Sequence, residues 1–246
     1  MRKRVVMVSF APRPTETTNI KYEETIMKNL KRFAAAAVIA LLTVAIAAFA
    51  LVGCGAQEYT FEAEDAVLEG MAASWGAPQP MSVETGPVYS EDGEGEEVTV
   101  VGNFNQSEQS ITWTVTSSKE CDADLTLFAA SASMTMDMTT YAMGLAEITG
   151  DSGFVSITNN DGTAITLSGT LPGLEGIDMS DTTVWKNVGS LTGKIHLVKG
   201  ENKIVLKLDG MPEGAMSGGL NVDKLVIKAS GNLTFEKTDN SDKVMG

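Results

Sequence analysis

The chain has 246 residues, 43% of them hydrophobic, with 18 Lys+Arg against 32 Asp+Glu and a formal net charge of −14. Residues 1–53 hold 8 of the basic and 3 of the acidic residues, so the remainder carries about −19 and no basic cluster. Such a surface repels phosphate backbones and excludes nucleic acid as a partner, while it suits solubility and divalent cations outside the cell.

Lys28, Lys31 and Arg32 precede residues 33–52, which are apolar except for Thr43, and Leu51-Val52-Gly53-Cys54 closes the run in the pattern of a lipobox. Residues 1–53 therefore read as an extension plus a lipoprotein signal peptide, with Met27 where such a signal should start. Cleavage would leave Cys54 lipidated, residues 54–58 as a short lipid-anchored N-terminus, and the domain on the extracytoplasmic face of a bacterial membrane. The alternative is a retained transmembrane anchor, since twenty apolar residues span a bilayer. With Cys54 lipidated, Cys121 is the one thiol left, so no internal disulfide is expected and its role is packing.

From Tyr59 onward, short alternating runs are separated by Gly, Asn, Asp and Pro, the pattern of an antiparallel all-β domain. The first strand is expected at 59–66, with Glu62 and Glu64 on one face and Phe61 and Ala63 on the other. Further strands are expected at 97–103, 110–115, 124–132, 154–158, 164–167, 193–197, 203–208 and 220–228. That many strands in one core of about 190 residues predicts a two-sheet β-sandwich of jelly-roll type over 59–230, with 231–246 as a C-terminal tail. Asn159-Asn160-Asp161-Gly162 and Lys199-Gly200-Glu201-Asn202 both read as hairpin turns. Residues 72–95 read as a Gly-, Pro- and Ser-rich loop running into a solvated acidic stretch at 91–97. Met134, Met136 and Met138 alternate as a strand placing thioethers in the core, and Trp113, between Ile111 and Val115, reads as core.

Gly150-Asp151-Ser152-Gly153 looks like the nucleophile segment of chymotrypsin-like proteases, but the one histidine, His196, follows it and lies in an alternating run. A strand-to-strand turn accounts for it, and His196 reads as a strand-surface residue, since a zinc site needs three or four convergent ligands. Glu62 and Glu64 do not form a glycosidase pair, whose two carboxylates face each other across a cleft. A hard cation such as calcium, which takes six to eight oxygens, explains them better.

The segment Tyr59-Thr60-Phe61-Glu62-Ala63-Glu64-Asp65-Ala66, with Val101-Gly102-Asn103-Phe104 and Gly219-Leu220-Asn221-Val222-Asp223-Lys224-Leu225, resembles the carbohydrate-binding modules of families 6 and 35. The resemblance covers Tyr59 to about Ala229. It implies a structural calcium held by Glu62, Glu64 and Asp223, and a sugar cleft at one end of the sandwich to which Trp185 and Asn221 contribute. Aromatic rings stack on the apolar face of a pyranose. Tyr141 and Tyr89 are loop candidates for a second aromatic, and Trp75, in Ala-Ser-Trp-Gly-Ala-Pro, would line a site or plug the sandwich end. The segments 134–150 and 154–181 are longer than in a typical module. The expectation is a non-catalytic, membrane-anchored lipoprotein that binds carbohydrate. Its alternatives are a structural or protein-interaction lipoprotein that has lost the sugar site, and an accessory subunit presenting substrate to a separate enzyme or transporter.

Overall fold

The computed structural model describes residues 55–72, 79–87, 97–160, 162–178 and 187–243. Cys54, Trp75, Tyr89, Trp185, the apolar run 33–52 and the acidic residues 91–96 lie outside the described residues. Ala56–Gly246 is one compact unit. In chain order its strands begin with β1 (Gln57–Glu62), β2 (Val67–Glu69), β3 (Met71–Ala72), β4 (Gln79–Pro80), β5 (Ser82–Pro87) and β6 (Glu97–Phe104). Next come β7 (Ser110–Ser117), β8 (Cys121–Ser131), β9 (Met134–Met136), β10 (Met143–Leu145), β11 (Ile148–Thr149) and β12 (Val155–Asn159). The series ends with β13 (Thr163–Ala164), β14 (Leu167–Leu171), β15 (Val188–Leu197), β16 (Gly200–Leu208), β17 (Leu220–Ala229) and β18 (Leu233–Phe235).

Two antiparallel sheets form the sandwich. One runs β11-β14-β15-β8-β17-β6-β5, with β1 beside β17; the other runs β13-β12-β16-β7-β18, with β2 beside β7. The chain changes sheet repeatedly, at β6 to β7, β7 to β8, β15 to β16, β16 to β17 and β17 to β18, the interleaving expected of a jelly roll. The alternation read from the sequence sets the inner faces. Ala123, Leu125, Leu127 and Ala129 of β8 are buried beneath exposed Asp122 and Asp124, and they join Ile111, Trp113 and Val115 of β7 with Ile204, Leu206 and Leu208 of β16 in one core. Trp113 is fully buried, as expected for a core residue.

Long-range pairing changes several expectations. The first strand stops at Glu62, and Ala63–Asp65 form a 3-10 turn that carries the chain from β1 in one sheet to β2 in the other. Glu62 and Glu64 therefore do not alternate along one strand. The segment around Lys199-Gly200-Glu201-Asn202 is not a hairpin: β15 pairs with β8 and β14, whereas β16 pairs with β7 and β12. It is a corner between the sheets, held by buried Asn202. The Asn202 side chain accepts from Val198 N (2.9 Å) and donates to the carbonyls of Val198 (2.9 Å) and Gly200 (3.0 Å). The Asn159–Gly162 turn is a hairpin as expected, with Asn160 and Gly162 at φ 37° and 81°.

Part of the expected loop 72–95 is strand: β5 pairs with β6 along its length, and Met81 beside it is buried. The expected strand 164–167 is a crossing from β13 in one sheet to β14 in the other. Met134 and Met136 are only half-buried in a two-stranded ribbon, and Met138 is exposed at its tip, so the alternating thioethers do not enter the core. The expected tail also belongs to the sandwich, because β18 pairs with β7 and Asn240 is buried.

Candidate functional site

The crossing from β1 to β2 gathers carboxylates. The C-terminal segment pins its backbone: Asn240 Nδ2 donates to the carbonyls of Glu64 and Ala66, each at 2.8 Å, and Thr238 N donates to Asp65 O at 2.7 Å. The Trp113 indole N–H points at Glu62 O (3.4 Å). Asp223 arrives from β17 because that strand bulges. Val222 opposes Ala129 and Lys224 opposes Phe128, which leaves Asp223 as an extra residue and reverses which side chains face the core. At the same point β17 exchanges β6 for β1 as its neighbour, with Lys224 opposite Glu62.

These acids stand in a poor solvent. Burial pushes Glu64 up to about 7, and the negative charges of Glu62, Asp65 and Asp223 add to the rise. Burial also raises Glu62 and Asp223. Lys224 lies 3.3 Å from Asp223, and Lys237 pairs with Asp65. Among the described residues no lysine or arginine pairs directly with Glu62 or Glu64, and Glu64 Oε2 is buried with no hydrogen-bond partner. An orphaned buried carboxylate oxygen among repelling acids has the chemistry of a hard-cation ligand. Among the described residues, however, no three His, Cys, Asp or Glu side chains converge to metal-holding distance. A cation here would draw the rest of its shell from carbonyls and water.

A cleft of about 690 Å³ opens at one end of the sandwich. Four separate segments line it: Glu84 on β5, 103–107 at the end of β6, Ala132 and Met134, and 210–221 leading into β17. Buried Gln109 shapes the first wall. Its Oε1 accepts from Asn105 N (2.7 Å) and Gln106 N (2.9 Å), and its Nε2 donates to Asn103 O (2.9 Å). Asn103 itself sits at φ 53°, a region asparagine tolerates better than most residues. The opposite wall is joined by buried Ser133, whose hydroxyl bonds both N and O of Gly219, and by Met216 N donating to Met134 O at 2.7 Å. The lining combines amides of Asn103, Asn105, Gln106 and Asn221 with the thioethers of Met134, Met211 and Met216.

Of the residues singled out from sequence, Asn221 lines this cleft and is 6% exposed. Tyr141 does not line it; it sits at φ 58° in the loop between β9 and β10, 73% exposed. Glu84, Asn103, Gln106, Met211 and Met216 went unremarked as site residues. Only Asn103, inside one of the motif segments, carried any sequence signal. Ser152 and His196 do not engage each other: Ser152 Oγ donates to Thr149 O (2.6 Å), and the His196 ring is bracketed by Asp122 (2.8 Å) and Glu120 (3.3 Å). His196 is an exposed strand residue, as expected, and the bond to Asp122 raises its pKa. Cys121 is a free thiol, half-buried against the core.

No protein-family model matches the chain, and no curated protein matches it. Solved structures do. A family 35 carbohydrate-binding module from Cellvibrio japonicus Abf62 is 15% identical, over 74% of this chain and 100% of that one, with a TM-score of 0.39. A β-(1,4)-mannanase carrying a family 35 module, from Podospora anserina, is 17% identical over 72% of this chain, which spans only 28% of its length, with a TM-score of 0.39. The C-terminal family 6 module of a laminarinase from Zobellia galactanivorans is 15% identical over 70% of this chain and 99% of that one, with a TM-score of 0.36. The chain is thus similar to modules of the two families named from its motifs, at a level that leaves its ligand to be argued from its own residues.

Proposed function

We propose that this chain is a non-catalytic, surface-exposed lipoprotein that binds carbohydrate in the cleft at the end of its sandwich. The observation that carries the reading is the lining of that cleft: amide side chains that donate and accept, set among thioethers. That is the mixture a ring with hydroxyl edges and C–H faces requires. Its volume, about 690 Å³, suits a short oligosaccharide. Trp185 would supply the stacking ring. Glu64, with the charges of Glu62 and Asp223 nearby, would hold a calcium ion that serves the fold by relieving the repulsion at the crossing between sheets, the rest of its shell coming from carbonyls and water. Cys54 would carry the lipid that keeps the domain on the outer face of the membrane, where a partner enzyme or transporter would meet the bound glycan.

The test is a glycan and polysaccharide screen on the domain from residue 57 to 246, in calcium, with Trp185→Ala and Asn221→Ala alongside. Binding that drops tenfold or more in both variants supports the reading. A folded domain that retains no glycan would instead favour a protein-interaction lipoprotein.

A further inference from the structure

The charge of the cleft is one-sided. Among its described lining residues a single side chain is ionisable, the carboxylate of Glu84, and no Lys, Arg or His reaches the cavity. Glu84 is held by a relay: Asn103 Nδ2 donates to Ser82 Oγ (3.1 Å), and Ser82 Oγ–H donates to Glu84 Oε1 (2.7 Å). Gly102, on the strand opposite, makes room for it, since a Cβ there would stand 2.6 Å from Oε1. The carboxylate is therefore positioned across the strand pair. Among the described residues no cationic side chain pairs with it.

We infer that Glu84 makes this cleft selective for sugar units bearing a free amine, that is, 2-amino-2-deoxyhexoses without an N-acetyl group. This inference rests on the reading of the cleft as a glycan site. An ammonium group offers three donors and a charge to a fixed carboxylate, and such charge-assisted bonds are about twice as strong as neutral ones. A neutral hydroxyl makes the weaker bond at the same atom. A uronic acid or sulfated sugar places a like charge beside Glu84 with no basic side chain among the described lining residues to offset it, inside a domain that is already strongly acidic. The cleft thus ranks amine above neutral above acidic sugars.

The experiment uses the full chain in a detergent without a sugar headgroup, at mildly acidic pH where the sugar amine is protonated. Matched gluco- and galacto-configured oligosaccharides are titrated as the free amine and as the N-acetyl form, together with a panel of neutral polysaccharides and an oligouronate. The expected result is binding of the amine form about tenfold tighter than its N-acetyl partner, with none to the uronate. Glu84→Gln should abolish that preference, bringing the ratio of amine to N-acetyl affinity down to about one. Glu201→Gln, an exposed carboxylate outside the cleft lining, should leave the preference intact. Equal affinity for the matched pair, or a preference that survives Glu84→Gln, overturns the inference and leaves neutral-glycan binding standing. A chain that binds no sugar of any class overturns it together with the glycan reading.

Discussion

Glu64 offers the sharpest test of the crossing between sheets. Its carboxyl sits at about 7 in the fold against 4.5 when exposed, chiefly through burial. The folded state therefore keeps a proton that the unfolded chain gives up. In the absence of a cation this group's contribution to stability falls as pH rises from 4.5 through about 7, and is constant above that. At ~1.4 kcal/mol per tenfold change in proton affinity, the gap amounts to about 3 kcal/mol, and partial exposure reduces it to about 2 kcal/mol. Glu62 and Asp223, also raised by burial, push in the same direction. A calcium ion bound to the ionised carboxylate would reverse this loss. Melting the full chain at pH 8 in calcium and in chelator should give a difference of about 4–8 °C. At pH 5, where protons occupy the carboxylates, the difference should vanish. Glu64→Gln should melt higher than the parent in chelator at pH 8, lose most of the slope between pH 5 and 7, and respond less to calcium. Equal melts with and without calcium at pH 8 would refute the cation. A calcium response that is identical at pH 5 and 8, or undiminished in Glu64→Gln, would refute Glu64 as its ligand.

Three other outcomes follow from the hydrogen-bonding posts of the fold. Gln109→Ala strips partners from Asn105 N, Gln106 N and Asn103 O; chemical denaturation should show a loss of about 2–3 kcal/mol, and any glycan affinity should fall with it. Asn202→Ala leaves the polar groups of Val198 and Gly200 unpaired at the corner between sheets. It should cost about 3 kcal/mol, whereas an ordinary exposed hairpin residue would cost under about 0.5 kcal/mol. Cys54→Ser in cells should move the chain from the membrane fraction and abolish acyl labelling; retention in the membrane without acylation would instead favour the transmembrane alternative.

Much of the sandwich was legible in the sequence because a period of two is a local property. Alternation at 110–115 and 203–208 reports which side chains face inward: Trp113 is core as read, and Ile204, Leu206 and Leu208 share the buried face of their strand. Asn160 and Gly162 likewise announce their turn through the backbone conformations they tolerate. Alternation does not report which sheet a strand joins. The corner at 199–202 has the composition of a hairpin, and only the pairing of β15 with β8 and of β16 with β7 reveals it as a crossing. The same limit applied to the acids. Glu62 and Glu64 looked like neighbours on one strand face, but the 3-10 turn between them and the bulge at Asp223 are set by which strands meet there. The cleft was the least legible part. Its walls come from segments near 84, 103–107, 132–134 and 210–221; Gln109 shapes the second of these through local bonds, and Ser133 ties the last two together across 86 residues of chain. Local patterning fixes the class of fold and the buried face of the regular strands. The aim of a carboxylate and the lining of a cavity depend on contacts between residues far apart in sequence, and these exist only once the sheets have closed.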